Sequence, residues 1–208
     1  MNYRLAIFDF DGTLADSFDF FVSSYNQIAD EFAFSRIDET EVDALRHHSA
    51  REMMKRVGLP AWKLPAVSQR FIAVMRANAP QLRPFDGVET ALAELAARGV
   101  QLAVVSSNAA DNVAAILGPA IMTHISHVDC GMSIFGKAAR LRKTLRACRI
   151  AANEAIYVGD QLTDLEAARR AGIAFGAVAW GYADPAALRA QRPDRMLEQV
   201  ADIVASLG

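Results

Sequence analysis

Asp9-Phe10-Asp11-Gly12-Thr13 closes a short apolar run that begins at Arg4. An apolar run of that length ending in Asp-Gly reads as a buried strand followed by a turn. Alternation along a strand points Asp9 and Asp11 the same way and Phe10 the opposite way, towards packing. Two adjacent carboxylates repel each other and resist desolvation, so at a buried strand end they call for a cation or a proton between them. The plainer reading is an acidic strand-to-loop turn. Gly12 permits a tight turn where a backbone can approach a ligand.

Beyond that strand the period changes. Phe18, Phe21, Val22, Tyr25, Ile28, Ala29 and Phe32 fall at helical spacing and form one apolar stripe. Ser49-Ala-Arg-Glu52 has the capping-box pattern and opens another helix, ending near Gly58-Leu-Pro60. Residues 61–80 read as helical and stop at Pro80, so residues 15–84 hold helices and no strand.

After Pro84 the pattern alternates. Helices are expected at Val88–Arg98, 109–117, Lys137–Cys148 and 163–171. Strands are expected at Gln101–Ser106, 124–128, Ala155–Val158 and Ala174–Val178. Such alternation implies right-handed crossovers and an α/β fold: a Rossmann-like parallel sheet with helices on both faces. The all-helical block interrupts it directly after the first strand. It reads as an inserted all-helical cap, residues 15–84, above the carboxyl edge of a core formed by 1–14 and 85–208, where ligands bind in such folds.

The chain has 208 residues, 52% hydrophobic and 22% charged, with a formal net charge of −2. That is enough apolar material for a full core, which excludes disorder. The charge balance gives no footprint for nucleic acid or an anionic membrane. Cys130 and Cys148 are too few for a disulfide framework and read as small apolar side chains. No signal-peptide stretch develops before Asp9, and no run reaches the ~18 apolar residues of a membrane span. The expectation is a cytoplasmic protein, monomer or homodimer, since the stripe at 18–32 can pack internally or dimerise.

A second acidic pair, Asp160 and Asp164, stands in Gly159-Asp160-Gln161-Leu162-Thr163-Asp164, again after an apolar strand. Helix capping explains one such acid well and two poorly. Both pairs lie on one edge of the same sheet. Four carboxylates there call for a hard cation, and oxygen ligands select Mg2+ or a close relative. Ser106-Ser107-Asn108 ends another strand in hydroxyls and an amide, which suit phosphate oxygens. Gly136-Lys137 opens a helix with an ammonium beside its free amides. Taken singly, Ser106 reads as a helix cap and Lys137 as a surface lysine. Taken together they fit a phosphate dianion held against a carboxylate.

The order Asp9-x-Asp11-Gly-Thr-Leu, apolar strand to Ser106, Lys137, then Gly-Asp160-x-x-x-Asp164 resembles the haloacid dehalogenase superfamily of phosphohydrolases, over essentially the whole chain. The insertion resembles the small helical cap of phosphoglycolate-phosphatase-like members, as does the tail Val178-Ala-Trp180-Gly-Tyr182. By that resemblance Asp9 is the nucleophile that forms an aspartyl-phosphate, and Asp11 protonates the leaving oxygen and then activates water. Thr13 fixes the loop. Ser106 and Lys137 hold the phosphoryl group, with Ser107 and Asn108 beside them. Asp9, the Asp11 carbonyl and Asp160 bind Mg2+, and Asp164 supports the metal directly or through water. The implied partner is a small phosphorylated metabolite. Asp11 argues against a dehalogenase, whose halide leaving group needs no proton. A phosphomutase of the β-phosphoglucomutase type keeps the same acids and stays open, as does a phosphate-binding protein on this fold.

Three patterns are decoys. Gly131 to Ala138 nearly spells a phosphate-binding P-loop but puts Ala138 where a hydroxyl must bind the metal. The Asp9-x-Asp11-Gly12 turn lacks the spacing of a calcium loop. His47, His48, His124 and His127 lack any zinc-ligand spacing. Arg46, His47, His48, Arg51 and Lys55 read either as a solvated basic face or as a substrate-selecting patch.

Overall fold

A computed structural model describes residues 3–38, 55–131 and 136–208. The expected capping box at 49–52, the cluster Arg46, His47, His48 and Arg51, and the centre of the P-loop near-match fall outside these residues; Lys55, the remaining member of the cluster, is exposed.

The first apolar run forms β1, Leu5–Phe8, and its side chains divide between the two faces of a sheet. Ala6 and Phe8 enter one core with Leu92, Leu102, Val104 and Val158. Leu5 and Ile7 enter a second core with Val105, Leu141, Tyr157 and Leu165. Burial on both faces is why these strands read as unbroken apolar runs rather than alternating ones. The other strands of this sheet are β4 (Gln101–Ser106), β5 (Ile125–Cys130), β6 (Ala155–Gly159), β7 (Ala174–Val178) and β8 (Arg195–Leu197), in the order β5-β4-β1-β6-β7-β8. Every pairing in it is parallel.

From β1 the chain builds β4 and β5 on one side, then crosses to place β6 on the other. The carboxyl ends of β4 and β6 therefore flank that of β1, with Phe8 opposite Val104 and Val158. A crevice opens at such a switch point. Leu92 of α3 (Val88–Ala97) and Ile116 of α4 (Ala110–Met122) cover one face, while Leu141 of α5 (Lys137–Cys148) and Leu165 of α6 (Leu162–Ala171) cover the other.

Between β1 and α3 lie α1 (Phe18–Phe32) and α2 (Leu64–Asn78). Tyr25 and Ala29 of the α1 stripe pack with Ile37 and Val57, against Phe71 of α2. Phe21 stacks on Phe71 at 5.2 Å between centroids, and Arg70 grips Glu31 with two hydrogen bonds of 2.6 and 2.8 Å. The stripe is thus packed within the chain.

Several elements depart from the sequence reading. A two-residue antiparallel ribbon, β2 (Ala15–Asp16) with β3 (Arg83–Pro84), closes the base of the helical segment where no strand was expected. It is too short to show a period. Helix α4 runs past its expected end at residue 117, because a second helical piece continues after the non-helical Gly118. Beyond Val178 come α7 (Pro185–Ala190), β8 and α8 (Asp202–Leu207), none of them expected.

Candidate active site

Asp9 follows the last residue of β1, Ser106 ends β4, and Asp160 follows the last residue of β6. Parallel register thus brings three separate stretches of sequence to one crevice. Carboxylate oxygens of Asp9, Asp160 and Asp164 lie within 4.8 Å of one another, and all three residues are buried. Among the described residues no histidine or cysteine joins such a group. Cys130 and Cys148 are free and half-buried.

Lys137, at the start of α5, spans the group. Its Nζ donates to Asp9 Oδ2 at 2.9 Å and to Asp164 Oδ1 at 2.5 Å. Asp164 also accepts from the Tyr157 hydroxyl at 3.1 Å and from the Gln161 backbone N–H at 3.1 Å. That last bond is half of a capping box on α6, so the capping reading of Asp164 holds alongside its place in the cluster. Asp160 accepts from Thr13 Oγ1 at 3.2 Å and from the Tyr182 backbone N–H at 2.8 Å.

The electrostatics are those of acids short of positive charge. Burial pushes the Asp9 carboxyl up to about 7, although Lys137 pulls it down. Burial, then Asp164 and Asp9, hold Asp160 well above the usual carboxylate range. Burial works against the Lys137 ammonium, but Asp164 and Asp9 outweigh it and keep it charged. An all-carboxylate donor set in which burial raises the proton affinity of Asp9 and Asp160 suits a hard divalent cation. The walls fit such a site as well. Gly12 turns at φ 75° with Asp160 and the Tyr182 ring where a Cβ would stand, and a Cβ on Gly181 would lie 2.8 Å from Asp160 Cγ. Only glycine lets the backbone come so close to that carboxylate.

Asp11 is set apart from the cluster. Ser17 Oγ donates to its Oδ1 at 3.1 Å and Asn108 Nδ2 to its Oδ2 at 3.0 Å. Burial raises its proton affinity even so. Its carboxylate is thus held apart from the three grouped acids, with raised proton affinity. Ser106 is buried and its Oγ accepts from the Asn108 backbone N–H at 3.0 Å, a local turn bond; the N-cap of α4 is Ala109, so Ser106 is not its cap. Ser107 is exposed, and the Asn108 amide is committed to Asp11.

A cavity of about 230 Å³ opens over Asp11. Phe20 and Phe21 of α1 and Phe71 and Met75 of α2 wall it on one side, Ser107, Gln161 and Tyr182 on the other. Sequence reasoning gave no role to Ser17, Tyr157, Gly181 or Tyr182. For Gly181 and Tyr182 the one advance signal was the run Val178 to Tyr182, and Trp180 of that run donates its indole N–H to the Thr13 carbonyl at 3.1 Å.

The family model described as haloacid dehalogenase-like hydrolase matches residues 6–178. The phosphoglycolate phosphatase of Synechococcus elongatus is 36% identical over 95% of this chain and 94% of its own. The pyrophosphatase PpaX of Listeria monocytogenes is 24% identical over 96% of this chain and 94% of its own. A crystal structure from Lactobacillus plantarum superposes with a TM-score of 0.83 at 20% identity, covering 99% of each chain, and bears on the fold alone.

Proposed function

The chain belongs to the haloacid dehalogenase-like hydrolases, and from that premise we propose that it is a Mg2+-dependent phosphatase that cleaves a small-molecule phosphomonoester through an aspartyl-phosphate on Asp9. The observation that carries this reading is the buried group of Asp9, Asp160 and Asp164 spanned by Lys137, beside an Asp11 held apart. The names of the relatives share the cleavage of a phosphate bond.

A carboxylate oxygen of Asp9 attacks phosphorus, and the bond from phosphorus to the leaving oxygen breaks. Asp11 gives that oxygen a proton. Asp11, now ionised, takes a proton from water as the water oxygen attacks phosphorus. The bond to Asp9 then breaks, releasing inorganic phosphate and restoring both carboxyl groups. Covalent catalysis replaces one hard displacement with two easier ones. Ser106 and Lys137 hold the phosphoryl oxygens, and Thr13 braces Asp160. Mg2+ held by Asp9, Asp160 and Asp164, with the Asp11 carbonyl, supplies the positive charge that offsets repulsion between phosphate and carboxylate. Residues 15–84 serve as a cap over the core of 1–14 and 85–208, closing the cavity against water. Phosphoglycolate is the first metabolite to test, on the strength of the Synechococcus relative.

The test is phosphate release from an aryl phosphate and from phosphoglycolate, with Mg2+ and with EDTA, for wild type and Asp9→Asn. Metal-dependent release that vanishes in Asp9→Asn is expected. A variant as active as wild type removes Asp9 from the role of nucleophile.

A further inference from the structure

Asp11 is gripped on one side by hydroxyls that come from opposite ends of the chain. Ser17 Oγ lies 3.1 Å from Asp11 Oδ1 and 2.8 Å from the Tyr182 hydroxyl, and Ser17 and Tyr182 are 165 residues apart. The direction of this chain follows from counting protons. The Asp11 carboxylate accepts only, and Ser17 has a single proton to give it, so the Tyr182 hydroxyl donates to Ser17. A competing acceptor stands nearby: the Ala15 carbonyl is 3.5 Å from Ser17 Oγ. Without Tyr182 the serine loses its donor, and its proton is free to turn towards Ala15.

Tyr182 is itself fixed from three sides. Its backbone N–H is bonded to Asp160. Its ring meets Phe18 edge-on at 5.1 Å and lies 5.7 Å from Phe21, both on α1. It also lines the cavity over Asp11. One residue thus joins the proton donor, the acidic cluster and the first helix of the inserted segment.

We propose that Tyr182 is a positioning residue that acts through Ser17 to aim the Asp11 carboxyl at the leaving oxygen. This rests on the phosphatase reading and on Asp11 as its proton donor. An alkyl leaving group needs that proton, whereas a para-nitrophenolate leaves without it, so the loss should follow leaving-group basicity.

The experiment measures kcat/KM, with saturating Mg2+, for ethyl phosphate and para-nitrophenyl phosphate. The variants are Tyr182→Phe, Ser17→Ala, both together, and Asp11→Asn. Tyr182→Phe keeps the ring and its packing. It is expected to lower kcat/KM for ethyl phosphate about three- to tenfold, the effect of one hydrogen bond between neutral groups, and for the nitrophenyl ester by less than about twofold. The double variant is expected to be no worse than Ser17→Ala alone, because the two act in series. An equal loss on both esters, no loss on either, or additive losses in the double variant overturns the proposal if Asp11→Asn shows the selective loss. Should Asp11→Asn itself lose both esters equally, or neither, the assignment of Asp11 falls, and the proposal with it.

Discussion

Replacing Asp9 by asparagine should change how the stability of the metal-free protein depends on pH, by an amount the structure sets. Burial lifts the Asp9 carboxyl from 3.8 to about 7 against the pull of Lys137. A carboxyl whose folded value lies above its unfolded one contributes stability that is fully present below the unfolded value and lost as pH rises through the folded one. The whole loss is roughly 4 kcal/mol, and roughly 2–3 kcal/mol of it falls between pH 5 and pH 8. The asparagine side chain has no proton to lose. In the variant Lys137 keeps Asp164 as a partner at 2.5 Å.

Urea unfolding in EDTA at several pH values gives both curves, and their difference cancels the titration of groups that do not interact with Asp9. Wild-type stability minus variant stability should fall by about 2–3 kcal/mol from pH 5 to pH 8. Excess Mg2+ should flatten that fall, since a cation bound to the ionised form restores what burial takes away. A difference that stays flat or rises with pH in EDTA refutes the reasoning. It would mean that Lys137, not burial, governs the ionisation of Asp9.

Two further changes test the walls of the site. Gly181→Ala drives a methyl group into the buried Asp160 side chain, which must shift; it should lower the metal-free melting temperature and weaken Mg2+ binding about tenfold or more, read from Mg2+-dependent thermal shifts measured against the variant's own metal-free value. Arg140 donates to the Ser106 carbonyl at 2.9 Å and lies one turn beyond Lys137 on α5. Arg140→Ala should raise the inhibition constant for inorganic phosphate about three- to tenfold and leave Mg2+ affinity unchanged, by loosening the strand end that carries Ser106.

What the sequence revealed depended on length and on anomaly. Strand β4 and helix α5 have the bounds their patterns give, because β4 is a long unbroken apolar run, α5 is long enough to show a helical period, and a glycine precedes each, Gly99 and Gly136. β8 has three residues, α7 and α8 six each, and the β2–β3 ribbon two per strand. No period can be counted in pieces of that size, and they owe their form to the sheet edge or segment they close. The acids were legible for the opposite reason: a carboxylate ending an apolar run contradicts its surroundings. Ser17, Tyr157 and Tyr182 contradict nothing locally. They become significant only when folding carries Tyr182 to Ser17 and the Tyr157 hydroxyl to Asp164.

That contrast says what the buried acids are for. Burial is the largest influence on Asp9, Asp11 and Asp160, and in each case it disfavours the charged form. If these positions served stability alone, asparagine would fill the same space, and its amide oxygen would still accept one of the hydrogen bonds made to each carboxylate, without the cost of a buried charge. Local consistency is broken at these three strand-end positions, each of which adjoins an apolar run buried on both faces. What asparagine cannot do is attack phosphorus as a carboxylate, carry a proton to a leaving oxygen, or help neutralise a divalent cation. Those are the three capacities that the proposed reaction requires of Asp9, Asp11 and Asp160.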